Sequence, residues 1–347
     1  MKNPFVTNGY VSPEYFCDRE KETAKIVSLL TNENNIALIS PRRLGKTDLL
    51  RHCFGQPEIK EHYHTFIIDI YATSSVRDFV NVFGKAVLDE LRPKGKSVWG
   101  TFLNVLASLR SEITFDMNGQ PTWGIGLGAI TNPSATLDEI FSYLNNAGKP
   151  CLIAIDEFQQ ITKYADDPNI EAALRTHIQR CSNAHFVFSG SHRHLMGAMF
   201  TSPARPFYQS VTLINLPPIS VDKYAEFCLK HFERVSKHLD TLVVTELYER
   251  FNGITSYMQK VMNILFSMTG TGEICIPSMI DTAINDLLDF SADTYDALLY
   301  QMPEKQRIVF MAIAAEGKAK AISSGDFVRK YKRSEERRVG KECCLPC

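Results

Sequence analysis

The stretch Ser40-Pro41-Arg42-Arg43-Leu44-Gly45-Lys46-Thr47 follows the apolar run Asn35-Ile36-Ala37-Leu38-Ile39 and runs into Asp48-Leu49-Leu50-Arg51. It ends in Gly-Lys-Thr, as a phosphate-binding loop does. The full pattern is G-x-x-x-x-G-K-[ST], and Ser40 stands where its first glycine belongs. The strand-loop-helix context that the pattern requires is present on both sides. In such a loop the backbone N–H groups point inward, and the N-terminus of the following helix carries partial positive charge. Ser40 to Asp48 therefore form a candidate cradle for a polyphosphate. Gly45 permits a backbone approach that a Cβ would block. Lys46 is expected to reach the β- and γ-phosphates, and the Thr47 hydroxyl to ligate Mg²⁺. Pro41 biases Ser40 towards extended backbone, so a small residue is expected to serve at the first position without removing a ligand.

A second motif supplies the acidic half of the site. Cys151-Leu152-Ile153-Ala154-Ile155 is an apolar strand that ends in Asp156-Glu157. Asp156 falls at the carboxyl end of its strand, where ligands bind in parallel sheets. It is expected to hold Mg²⁺ through water together with Thr47, and Glu157 to act as general base on the attacking water. Alone, an acidic strand end is an ordinary turn; behind a Gly-Lys-Thr loop it points to a nucleotide-hydrolysing site. Ser191 follows the strand His185 to Gly190. It is read either as a contact to the γ-phosphate or water, or as a plain serine at a strand end. The His192-Arg193-His194 and His62-Tyr63-His64 pairs have nothing nearby to complete a metal site.

Around these motifs the first two-thirds of the chain alternates short apolar runs with helical patterns, which implies a parallel α/β sheet. The expected strands are 36–40, 65–70, 151–155, 185–190 and 211–216. Val76, Phe79, Val80 and Phe83 share one face of a helix between them. Residues 95–130 break the alternation and carry Asn118-Gly119, a hairpin signal; they are read as a β-hairpin insertion. From residue 218 to 282 the strands give way to helices, with Tyr224, Phe227, Cys228, His231 and Phe232 on one stripe and Met258, Val261, Met262, Leu265 and Phe266 on another. A further unit starts near residue 283. Its helix opens at Pro303 and closes at Gly317, with Ile308, Met311, Ala312 and Ala315 as the expected buried stripe. The expected domains are thus 1–217, 218–282 and 283–332.

The length of 347 residues exceeds a single ordinary core and suits this division. A net charge of −1 excludes a global basic field for nucleic acid, though not a local patch. No apolar run approaches the roughly 18 residues of a membrane span, and the N-terminus lacks a signal core, so no membrane partner and a cytoplasmic location are expected. Six of the nine cysteines are scattered without metal spacing. The other three lie in a tail, 333–347, whose stretch Arg333 to Cys343 resembles the translation of a sequencing adapter. Residues 333–347 are expected to be non-native and carry no functional reading.

Several segments together resemble the archaeal-type P-loop ATPases of the AAA+/STAND group, relatives of the origin-recognition ATPases. They are Tyr15 to Glu20, Ser40 to Leu50, Leu152 to Ile161, Phe188 to Met196, Ser202 to Tyr208, Ile214 to Ser220 and Phe251 to Gln259. The resemblance implies a P-loop NTPase sheet in strand order 5-1-4-3-2 with helices on both faces, then a helical lid and a truncated winged-helix-like segment. It implies that Phe16, Arg19 and Glu20 lie near the adenine. It offers Arg205 either as an arginine finger towards the phosphate of a neighbouring subunit in a homo-oligomer, or as a surface arginine. The lid stretch Gly253 to Gln259 sits where relatives place a nucleotide-sensing helix, but it carries no arginine. Two functions follow: ATP hydrolysis driving a conformational switch, or a nucleotide-gated protein that binds DNA or a protein partner through its C-terminal region, where Arg329 to Arg333 form a basic run.

Overall fold

The computed structural model describes residues 3–91, 113–115, 121–123, 130, 132–317 and 321–338. The chain folds into two compact units, Met1–Ile280 and Asp281–Cys347. The expected boundary between 217 and 218 therefore falls inside the first unit.

The first unit is built on five strands: β1 (Ile36–Ile39), β2 (His64–Asp69), β3 (Cys151–Asp156), β4 (Ala184–Gly190) and β5 (Thr212–Asn215). They are all parallel, in the order β2-β3-β4-β1-β5. Read from the other edge this is 5-1-4-3-2, as expected. Every residue of β1, β3 and β4 is buried, whereas the edge strands β2 and β5 bury only part of theirs. The inner strands read as continuous apolar runs because helices cover both of their faces.

Alternation along each strand sorts the side chains into two layers. Ile153 and Ile155 join Phe186, Phe188, Ala37 and Ile39 on one face, packed with Val76, Phe79, Val80 and Phe83 from the helix Val76–Leu91. Leu152 and Ala154 join Ile36, Leu38 and Val187 on the other, against Leu49, Leu50 and Cys53 of the helix Lys46–Phe54. Both stripes expected in the 218–282 region are buried, on the helices Val221–Glu233 and Thr255–Met268.

Of the expected insertion at 95–130, Ile113–Phe115 pairs antiparallel with Pro121–Trp123; most of the remainder, including Asn118-Gly119, lies outside the described residues. In the second unit the helix Glu304–Glu316 opens after Pro303 and closes at Gly317, whose φ is +70°. Its expected stripe is only partly realised. Ala312 is buried, Ile308 and Met311 are half-buried, and Ala315 is exposed. The tail beyond Arg338 lies outside the described residues.

Candidate functional site

The sheet order decides where the motifs meet. β4 lies between β1 and β3, so the loop after β1 and the acidic end of β3 open at the same edge, on either side of Ser191. Ser40 extends β1: its backbone N–H reaches the carbonyl of Gly190, and its φ is not among the positive values of the chain. That answers the departure from the loop pattern, because this position needs a small side chain in extended backbone rather than a glycine. Ser40 is fully buried and its hydroxyl donates to the Pro41 carbonyl. The turn itself is made further on. Arg43 (φ +70°) and Gly45 (φ +82°) adopt left-handed backbone, and Gly45 sits immediately before the first residue of the helix Lys46–Phe54.

Lys46 is buried, and its ammonium donates to the Ser40 and Pro41 carbonyls at 3.1 and 3.3 Å. Burial pulls its pKa below the ordinary lysine value; the Asp156 and Glu157 carboxylates oppose that shift and Arg42 adds to it. The Thr47 hydroxyl donates to Asp156 Oδ2 at 2.5 Å. Asp156 and Thr47 thus present hard oxygens side by side, the donor set that suits Mg²⁺.

Glu157 leaves the strand with φ +54°, left-handed for a non-glycine residue. Its carboxylate Oε2 accepts from the Ser191 hydroxyl at 2.8 Å and from the Gln159 amide. Arg42 extends towards the same corner, with Nε 3.4 Å from Ser191 Oγ and its guanidinium 5.4 Å from the centre of the Tyr71 ring.

These groups line one cavity of about 620 Å³. Phe16, Arg19, Arg42, Arg43, Leu44, Gly45, Lys46, Thr47, Asp48, Asp156 and Glu157 all contribute to its wall. Ser40, Pro41 and Ser191 are not part of the lining; Ser191 touches two residues that are, Glu157 and Arg42. Arg19 is buried and donates to the Pro217 carbonyl at 2.8 Å and to Glu22 at 3.0 Å, so it ties the N-terminal segment to the end of the sheet. Phe16 stacks on His52 at 4.4 Å. Burial raises the pKa of Asp48, while Arg51 and the Tyr10 backbone N–H hold it down. Arg205 is not part of the wall. It is paired with the buried carboxylate of Glu171.

Asp69, Tyr10 and Gln159 escape sequence reasoning. Asp69 ends β2 in register with Asp156 and lines the cavity; its place at the carboxyl end of an apolar strand was the available signal. Tyr10 lines the wall and bonds His52 through its hydroxyl, with no motif to mark it. Gln159 is found only through its contact with Glu157. Thr255, Ser256 and Gln259, from the stretch that the resemblance sets at the nucleotide-sensing helix and at the start of the helix Thr255–Met268, also line the cavity. Among the described residues no group of three or more His, Cys, Asp or Glu could hold a metal, and His192 and His194 are exposed. No described helix is long and apolar enough to cross a membrane.

Known proteins share this fold. The model of an ATPase domain predominantly from Archaea matches residues 16–261, and that of a probable winged helix domain matches 293–339. No curated protein matches the chain. Among solved structures, the Walker-type ATPase PABY2304 of Pyrococcus abyssi aligns with a TM-score of 0.62 at 17% identity, over 99% of this chain and 90% of that one. The Aeropyrum pernix ORC2 protein in its ADPNP-ADP complexes aligns at 0.59 with 13% identity, over 96% and 83%. The Aeropyrum pernix ORC1 protein in complex with DNA aligns at 0.54 with 13% identity, over 96% and 81%. At such identities the likeness is one of fold, whereas the family match spans most of the sequence. The chain belongs to the family of ATPase domains found predominantly in Archaea, with the fold of an archaeal-type AAA+ ATPase and a winged-helix segment behind it.

Proposed function

We propose that the protein binds Mg-ATP in this cavity and hydrolyses its β-γ bond. The observation that carries the reading is the meeting of two motifs far apart in sequence, with Thr47 Oγ1 2.5 Å from Asp156 Oδ2. The buried ammonium of Lys46 and the backbone N–H groups at the start of its helix receive the phosphates. Phosphate charge there also returns Lys46 towards its ordinary pKa, because it offsets the burial that lowers it. Thr47 and Asp156 are the residues that would hold Mg²⁺, which when bound neutralises charge on the phosphates.

Glu157 takes the proton of the attacking water on its carboxylate. Ser191 and Gln159 fix the rotamer of that carboxylate, so the base is oriented before the substrate arrives. Phe16 and Tyr10 supply the apolar wall at the other end, where a base ring would lie. A difference in lid contacts between ATP and ADP states would make hydrolysis a conformational switch.

The test is turnover of γ-labelled ATP. Lys46→Ala is expected to lose binding, and Glu157→Gln to keep binding while hydrolysis falls by about 10²–10⁴-fold. Equal turnover by the wild type and both variants would overturn the assignment. A second reading is nucleotide-gated DNA binding through the winged-helix segment, which the match at 293–339 favours. It calls for DNA affinity that falls steeply with salt and changes on adding ATP. A DNA affinity indifferent to ATP would exclude the gating.

A further inference from the structure

The helix Thr255–Met268 forms part of the cavity wall yet brings no guanidinium to it. Its single cation, Lys260, is not in the lining. The reverse arrangement is present: the loop reaches out to the helix. The Arg43 guanidinium donates to the Tyr257 hydroxyl and lies 4.9 Å from the centre of its ring. The Arg43 carbonyl accepts the backbone N–H of Ser256 at 3.2 Å. One residue of the loop thus grips the first turn of the helix through both its side chain and its backbone.

Arg43 holds this position at a cost. Its φ of +70° is unfavourable for a residue with a Cβ. Left-handed backbone turns its carbonyl towards Ser256 while its side chain crosses to Tyr257. On the helix side, Gln259 is fixed by the Tyr224 hydroxyl at 3.0 Å, and Tyr257 packs on Phe251 at 5.8 Å. Tyr257 therefore connects to the body of the helical region rather than standing alone. An arginine presents five N–H donors. The contact with Tyr257 leaves donors over for a ligand in the cavity that Arg43 lines.

We propose that Arg43 is the element that transmits nucleotide occupancy to the helical region: its guanidinium bridges the phosphates of bound ATP and Tyr257, so the loop performs the sensing for which the lid helix carries no arginine. This rests on ATP binding as proposed above. Arg43 and Tyr257 act as positioning residues and take no part in proton transfer. The bridge requires the planar, multidentate group of arginine, which a lysine point charge does not reproduce.

The experiment is hydrogen exchange of the peptide covering 255–268, with and without Mg-ATP, read beside ATP affinity from a fluorescent ATP analogue. In the wild type, ATP is expected to slow exchange in this peptide by about tenfold, a typical strength of coupling between two sites. Tyr257→Ala is expected to bind the analogue within about threefold of wild type while the slowing is lost. Tyr257→Phe, which keeps the ring and removes the hydroxyl, is expected to retain part of it. Arg43→Lys is expected to lose the slowing despite its charge, and it serves if Tyr257→Ala fails to fold. Absence of ATP binding by the wild type would remove the underlying reading. Binding without slowing in the wild type, or equal slowing in the wild type, Tyr257→Ala and Arg43→Lys, would overturn the bridge alone.

Discussion

Gly190 is where the packing of the sheet meets the proposed general base, Glu157, and Gly190→Ala tests both at once. Gly190 ends β4 beside Ser191. A Cβ there would collide with the Gln159 side-chain oxygen and lie 2.6 Å from Cγ and Sδ of Met196. Gln159 and Met196 are both buried, so neither side chain has room to swing away freely. Overpacking of this kind costs about 1–3 kcal/mol. The backbone at Gly190 is not in the left-handed region, so alanine also recovers about 0.4–1 kcal/mol from the unfolded chain. The net loss is about 0–2.6 kcal/mol, centred near 1.3, which is roughly 3–5 °C in Tm for a unit of this size.

The second effect of the substitution is chemical. Gln159 donates to Oε2 of the Glu157 carboxylate, and displacing it leaves that oxygen held by the Ser191 hydroxyl alone. One hydrogen bond to a charged group corresponds to about tenfold in turnover, with ATP affinity unchanged because neither Gly190 nor Gln159 lines the cavity. Gly197→Ala is the control. It lies in the helix Arg193–Thr201 with no atom within 4 Å of a new Cβ, and is expected to raise Tm slightly, since alanine is the better helix former. Calorimetric unfolding and γ-labelled ATP turnover report the two effects. A Gly190→Ala protein with the Tm and turnover of wild type would refute the packing argument and the positioning of Glu157 by Gln159 together.

Two further outcomes follow from groups away from the loop. His231 is buried between Tyr15 and Phe227, and burial lowers its pKa below the ordinary 6.5; Arg234 and Lys230 add to the shift and Glu14 opposes it. The unfolded chain then binds the proton more readily, so stability is full above about pH 6.5 and is lost as pH falls towards the folded value. The difference in Tm between about pH 7.5 and about pH 5 should shrink in His231→Phe, and an unchanged difference would count against it. Arg205→Ala strips the buried carboxylate of Glu171 of its partner. With Arg205 partly exposed, the expected loss is about 1–3 kcal/mol, less than for a fully buried pair. The double substitution Arg205→Met with Glu171→Leu should regain part of that loss. Normal stability of Arg205→Ala, with lost turnover, would instead favour the arginine-finger reading.

The strands and the two motifs were legible in the sequence because they rest on local physics. β1, β3 and β4 are covered on both faces and must be apolar throughout, so they read as short unbroken runs. The loop needs Gly45, Lys46 and Thr47 in consecutive positions because a single backbone turn presents all three. Asp156 and Glu157 were visible because a strand end is visible. Asp69 obeys the same rule and was open to the same reading.

What the chain order could not reveal is which distant groups share a corner. Gln159 orients Glu157 only because it belongs to a short helical turn, Phe158–Lys163, packed under β4. Tyr10 enters the wall because the N-terminal segment folds back over the loop. Arg205 reads equally as a finger or a surface residue in the sequence, which gives no sign that Glu171 lies beside it. The pair Arg43 and Tyr257 has no sequence signature, since neither residue type is unusual at its position and their spacing carries no period. Local rules act over one turn or one pleat, and they specify which elements form and which ends bear chemistry. The sheet order and the packing of the helices upon it bring those ends together, and only the folded chain records which side chains then touch.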